Sequence, residues 1–151
     1  MKLMLKLKKH EKMHKIVLDT NVIISALISH GCPYRILHNL VATERIKICL
    51  SEPVLNEYAE VLIRTKFSQY KDFKQNALFI MTNIKRVGKL YKPNIHLDII
   101  TDKADNKFLE LSVFSKADFL ITGNTNHFTI SAYEGVKIIS PKDYIENFWK
   151  V

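Results

Sequence analysis

The chain has 151 residues and a mass of 17.6 kDa, with 47% hydrophobic and 25% charged residues, the length and mixture of one soluble globular domain. This excludes disorder, a collagen-like fibre and a repeat array, and folding at this size buries roughly 70% of the unfolded chain's surface without help from disulfides. The net charge of +8 points to a polyanionic partner, although six Lys and one acid within residues 1–15 supply +5 of it.

In that leading stretch, MKLMLKLKKHEKMHK, lysines interrupt every apolar run. A secretory core needs roughly 7–15 uninterrupted apolar residues and a membrane span about 20, and no later segment qualifies either. A cytoplasmic location is therefore expected. Residues 1–13 are read as a basic N-terminal extension, a disordered solvated tail or an arm on nucleic acid, and residues 14–151 as one domain.

KIVLD (15–19) is a short β-branched run that reads as a buried strand, ended by the polar triplet Asp19-Thr20-Asn21. VIISAL then supplies one or two helical turns. After the break at residues 30–33, YRILHNLVATE has helical spacing. IKICL (46–50) is a second strand. Ser51 is an N-cap ahead of VLNEYAEVLIR, with Glu52 and Pro53 in the first turn. Residues 67–92 have helical periodicity, with Gly88 as a stop.

IHLDII (95–100) is a short extended segment, and Asp102 to Lys116 a helix with apolar residues all round, expected to be heavily buried. ADFLITGN (117–124) and VKIIS (136–140) are further strands. SPKDYIENFW opens a last helix with Ser140 at its cap and Pro141 at its first position. Two isolated cysteines, Cys32 and Cys49, form neither a disulfide framework nor a zinc site and read as small core residues. Strands alternate with helices throughout and are continuously apolar. The expected fold is therefore α/β: a three-layer sandwich whose central, mostly parallel sheet carries helices on both faces.

Ligands of open α/β sheets bind beyond the carboxyl ends of the strands. The residues there are Asp19, then Thr101, Asp102 and Asp105, then Thr122, Gly123 and Asn124. Glu57 flanks the buried stripe formed by Val54, Tyr58, Val61 and Leu62 on its helix, whereas Glu60 points the opposite way. Each residue has a structural alternative: Asp19 and Asp102 as helix caps, Asp105 as a first-turn acid, Glu57 as a solvated edge residue, Asn124 in a left-handed turn. Together, clustered carboxylates repel and need a compensating charge. Oxygen ligands suit Mg²⁺ or Mn²⁺, and such ions favour phosphate chemistry.

These segments resemble the PIN-domain family, in particular the toxin component of bacterial toxin–antitoxin systems, over residues 14–148. IVLDTNVIISAL resembles the family's opening strand, which puts a metal-binding acid on Asp19 with Thr20 and Asn21 behind it. SEPVLNEYAEVL resembles the second motif, with its acid on Glu57. DKADNKFLELSVFSKADFLITGN resembles the third and fourth, with Asp105 as the third acid and Asp102 as an accessory one. ISPKDYIENF resembles the close of that branch. Many relatives carry Asp where this chain has Asn124, a neutral residue that can still offer a carbonyl oxygen.

The resemblance implies an endoribonuclease that cleaves RNA by a metal-activated water. Asp19, Glu57 and Asp105 would hold Mg²⁺ or Mn²⁺, Asp102 and Asn124 would assist, and Thr20, Asn21 and Thr122 would orient water or carboxylates. It further implies an antitoxin partner and a homodimer or higher oligomer. Lys66, Lys103, Lys107 and Lys116 are read as a phosphate-tracking rim, and Tyr34, Phe128 or Tyr133 as stacking platforms for an unpaired base. His127 is read as a loop residue. Two rivals stand beside this reading. One is a catalytically weak or inactive nucleic-acid-binding or regulatory protein on the same fold. The other is an aspartyl phosphatase, disfavoured because its leaving-group acid would fall on Asn21.

Overall fold

A computed structural model describes residues 13–149; apart from Met13, the basic extension lies outside the described residues. Lys15–Leu18 forms β1, with Ile16, Val17 and Leu18 fully buried, as a strand covered on both faces requires. Helix α1 (Thr20–Ile28) follows, then α2 (Cys32–Arg35), which continues as a π-helical segment, Ile36–Val41. After β2 (Lys47–Ser51), helix α3 (Glu52–Leu62) begins at the expected cap, where Ser51 Oγ accepts the Val54 N–H at 3.3 Å.

Helix α4 (Phe73–Val87), β3 (Lys89–Tyr91), α5 (Asn106–Ser115) and β4 (Phe119–Ile121) come next, followed by β5 (Ala132–Tyr133), β6 (Val136–Ile139) and the short α6 (Pro141–Asp143). The sheet has the order β3-β2-β1-β4-β6-β5, and every pairing is parallel except that of β5 with β6. The fold is thus the expected α/β sandwich. From β1 the chain builds outward to β2 and β3, then returns to place β4 on the other flank of β1. Connections of this kind are right-handed as a rule, so reversing direction at β1 is expected to carry the helices to both faces of the sheet. Helix α5 packs on β1, β2 and β4, while α3 touches both α1 and α5 near the strand ends.

Two expectations need correction. Residues 67–92 are not one helix: a 3₁₀ turn, Thr65–Phe67, precedes α4, and beyond Gly88 the chain forms β3. Residues 95–100 join no strand ladder; the Leu97 N–H is taken by Glu110 Oε2 at 2.9 Å, and those of Ile99 and Ile100 by Asn106 Oδ1 at 3.2 and 3.0 Å. Side chains here satisfy backbone donors that a ladder would otherwise take. Helix α5 buries Phe108, Leu109 and Leu111 but leaves Phe114 at its margin, 37% exposed. Cys32 and Cys49 are both free thiols. Among the described residues, no helix is long and apolar enough to cross a membrane.

Candidate active site and metal centre

The register Leu18↔Ile121 brings the carboxyl ends of β1 and β4 side by side at the point where the strand order reverses, the location at which open α/β sheets bind their ligands. The next residue on each strand is Asp19 and Thr122. The Asp19 N–H donates to the Ile121 carbonyl at 2.9 Å, and Thr122 Oγ1 donates to Asp19 Oδ2 at 2.7 Å. Asn21 Nδ2 also donates to Oδ2, at 3.2 Å, while Asn21 Oδ1 accepts the Gly123 N–H at 3.0 Å. Asn21 thus clips the first strand end to the fourth, and its amide has no acidic proton to give a leaving group.

Asp19 is 6% exposed and stands at the N-cap position of α1; its side chain is also held from across the sheet by Thr122, so capping alone does not account for it. Burial raises its pKa above the ordinary carboxylate value; the Thr122 hydroxyl opposes this and the nearby Glu57 reinforces it. Glu57 arrives from α3, held by Tyr58, whose ring is buried between the helices and whose hydroxyl donates to the Leu18 carbonyl. Thr20 Oγ1 donates to Glu57 Oε2, and Lys107 Nζ of α5 lies 2.9 Å from Glu57 Oε1. The Glu57 side chain is 18% exposed, which corrects the solvated-edge alternative.

Asp105 ends a 3₁₀ turn, Lys103–Asp105, that leads into α5. Its pKa is raised from 3.8 to about 6: burial is the main cause, then the charges of Asp19, Asp102 and Glu57, with His127 opposing them. Three of the predicted acids therefore act on a fourth. Asp102 is exposed and does serve as a cap, its Oδ1 accepting the Ala104 N–H at 3.1 Å. The ligating atoms of Asp102, Asp105 and His127 all lie within 4.8 Å of one another. An open cleft of about 380 Å³ lined by Thr101, Asp102, Asn126 and His127 adjoins them. Asn124 is exposed with φ −111°, so it is no left-handed turn residue; its N–H donates to Thr122 Oγ1 at 3.1 Å.

The structure adds one residue, Asn106, and gives His127 and Lys107 places other than those expected. Asn106, 5% exposed, pegs the 95–105 loop through Oδ1 and through Nδ2 bonds of 3.4 Å to the Ile100 and Lys103 carbonyls. Its signal was a polar residue three positions before buried Leu109 on a helix. His127 Nδ1 stands 3.9 Å from Asp105 Oδ2, so it belongs to the site's rim and is not merely a loop residue. Lys107, expected on a phosphate-tracking rim, pairs with Glu57. Of the other rim lysines, Lys66 lies 5.1 Å from the Phe67 ring centroid and Lys116 ends α5 with φ 56°. Two of the expected stacking platforms are used internally: Tyr34 is flanked by His30 and His38, with ring centroids 4.4 and 4.0 Å away, and Phe128 is buried.

The donor set fits a divalent cation. Asp19, Glu57, Asp102 and Asp105 offer carboxylate oxygens, the ligands that hard divalent ions take, with His127 beside Asp102 and Asp105; burial is the main cause of the raised pKa of Asp19 and of Asp105, and neighbouring carboxylates add to it.

The PIN domain profile matches residues 15–126. The chain belongs to the PIN-domain family. It is 34% identical to an uncharacterized protein of Methanocaldococcus jannaschii, over 93% of this chain and 97% of that one. Its fold is similar to that of a chain in the crystal structure of VapBC2 from Rickettsia felis bound to a DNA fragment from their promoter. The TM-score is 0.53 at 16% identity, covering 83% of this chain and 98% of the other. PIN domains are generally nucleases that use divalent metal ions, so hydrolysis of nucleic-acid phosphodiesters is the activity class that membership brings.

Proposed function

We propose that this PIN-domain protein is an endoribonuclease dependent on Mg²⁺ or Mn²⁺, the toxin of a toxin–antitoxin pair. The observation that carries the reading is the gathering of acids beyond the β1/β4 strand ends, where Asp19 is buried against Thr122 and where burial first, then the charges of Asp19, Asp102 and Glu57, raise Asp105 to about 6. Asp19, Glu57 and Asp105 would hold the ion, with Asp102 and Asn124 beside them. When bound, a divalent ion polarises a phosphoryl oxygen and acidifies water. The chain's own residues prepare that arrangement. Thr122 and Asn21 fix the rotamer of Asp19, Thr20 fixes Glu57, and Asn106 anchors the loop that carries Asp105.

An antitoxin partner finds support in an apolar groove of about 590 Å³ between α3 and α4, lined by Ala59, Leu62, Ile63, Leu78 and Met81. Ile63 and Leu78 are 78% and 70% exposed there, a patch of the kind that marks a protein interface. The neutral Asn124 favours a second reading, a PIN-fold RNA-binding protein with little catalysis.

One experiment separates them. Full-length protein with Mn²⁺ is expected to cleave an unstructured RNA, and Asp19→Asn to lower the rate by at least about 100-fold, the scale lost with one group that organises transition-state charge. RNA binding without cleavage selects the second reading. Equal cleavage by Asp19→Asn overturns the mechanism.

A further inference from the structure

The Lys107–Glu57 pair has a feature that surface ion pairs lack: it sits where a cation is otherwise unwelcome. Lys107 is in the first turn of α5, and the positive end of a helix dipole repels an ammonium there. The opposite charge of Glu57, 2.9 Å away, offsets that repulsion. Both Glu57 oxygens are engaged, Oε1 by Lys107 and Oε2 by Thr20. Among the described residues, Lys107 is also the one Lys or Arg in an ion pair with any of Asp19, Glu57, Asp102 or Asp105. The side chain is 28% exposed, and its flexible four-carbon stem has a route to solvent.

We infer that Lys107 is a positioning residue, a built-in cation that holds Glu57 while the metal site is empty and must withdraw when a divalent ion enters. The inference rests on the metal centre proposed above. The ammonium engages one of the two Glu57 oxygens that would hold the ion, and two cations a few ångströms apart repel. Lys107 therefore competes with the metal and sets its affinity. In the metal-free protein it keeps Glu57 in place beside Asp19 and Asp105, whose like charges would otherwise drive the carboxylate outward.

The test is calorimetric titration of Mn²⁺ into full-length, metal-free protein: wild type, Lys107→Met, Lys107→Gln, Lys107→Arg, Asp19→Asn and, as a control for net charge, Lys85→Met on α4. Lys107→Met and Lys107→Gln are expected to bind Mn²⁺ on the order of fivefold more tightly, the ratio that losing a partly exposed competing pair produces. Lys107→Arg and Lys85→Met stay within about twofold of wild type, a difference of under half a kcal/mol. Without metal, Lys107→Met melts below wild type, and Mn²⁺ raises its melting temperature by more. Unchanged or weaker Mn²⁺ binding by both neutral variants overturns the role of Lys107 while leaving the metal centre standing. Mn²⁺ binding that is absent from wild type, or undiminished by Asp19→Asn, overturns the metal centre itself and this inference with it.

Discussion

Replacing Asp105 by Asn should make the metal-free protein more stable at neutral pH while weakening its hold on metal. In the folded chain Asp105 ionises near 6, against an ordinary 3.8, because it is partly buried and faces Asp19, Asp102 and Glu57. A displacement of that size corresponds to roughly 3 kcal/mol at full ionisation. The side chain is 15% exposed at the rim of the site, so solvent screening reduces this to about 1–2 kcal/mol.

The sign follows from linkage. The folded state keeps the proton to higher pH than the unfolded state, so stability falls as pH rises from 3.8 to about 6 and is level above that. Asn carries no charge and escapes the penalty. In EDTA at pH 8 the variant should be more stable to urea by about 1–2 kcal/mol and melt roughly 3–6 °C higher. At pH 4.5 the gap should close to about a third of that value. Saturating Mn²⁺ should reverse the order, since it stabilises the protein that binds it. A variant less stable than wild type at pH 8, or a gap that ignores pH, would refute the account of Asp105.

Other substitutions probe the scaffold. Asn106→Ala removes the acceptor of the Ile99 and Ile100 N–H groups and should cost about 2–3 kcal/mol in urea unfolding, with weaker Mn²⁺ binding because the loop of Asp105 loosens; a loss under about 0.5 kcal/mol would contradict the peg. Asn106→Asp keeps that acceptor but sets a buried carboxylate oxygen against the Ile100 and Lys103 carbonyls, so it should not restore the lost stability at neutral pH. Gly88→Ala places a Cβ 2.7 Å from the Ile84 carbonyl and 2.6 Å from Leu50 Cδ1, which should cost about 1–3 kcal/mol by overpacking and leave Mn²⁺ affinity unchanged; an unaltered melting temperature would show that β3 shifts freely.

Much of this arrangement was legible in the sequence because it depends on local chemistry. The apolar runs at 15–18 and 119–121 are buried strands, Ser51 and Ser140 cap helices, as their hydroxyls and the following prolines required, and Asp19 follows a strand in any α/β register. Glu57 was readable from its place beside the Val54–Tyr58–Val61 stripe. The edge strand was not, because Lys89-Leu90-Tyr91 is short and only half covered, with Leu90 57% exposed, whereas residues 95–100 look more strand-like and yet bond to side chains of α5. Pairing is decided by the neighbour that is available, and β2 meets residues 89–91 first.

Long-range partnership was equally beyond local pattern. Nothing in the spacing of Glu57 and Lys107, 50 residues apart, announces that one would face the other. That depends on α3 crossing to α5 above the strand ends. The sequence determined which residues carry charge and where the central strands β1 and β2 lie; packing decided which of those charges meet, which lysine pairs with Glu57, and how deeply each carboxyl is buried, and therefore how far it departs from its behaviour in water.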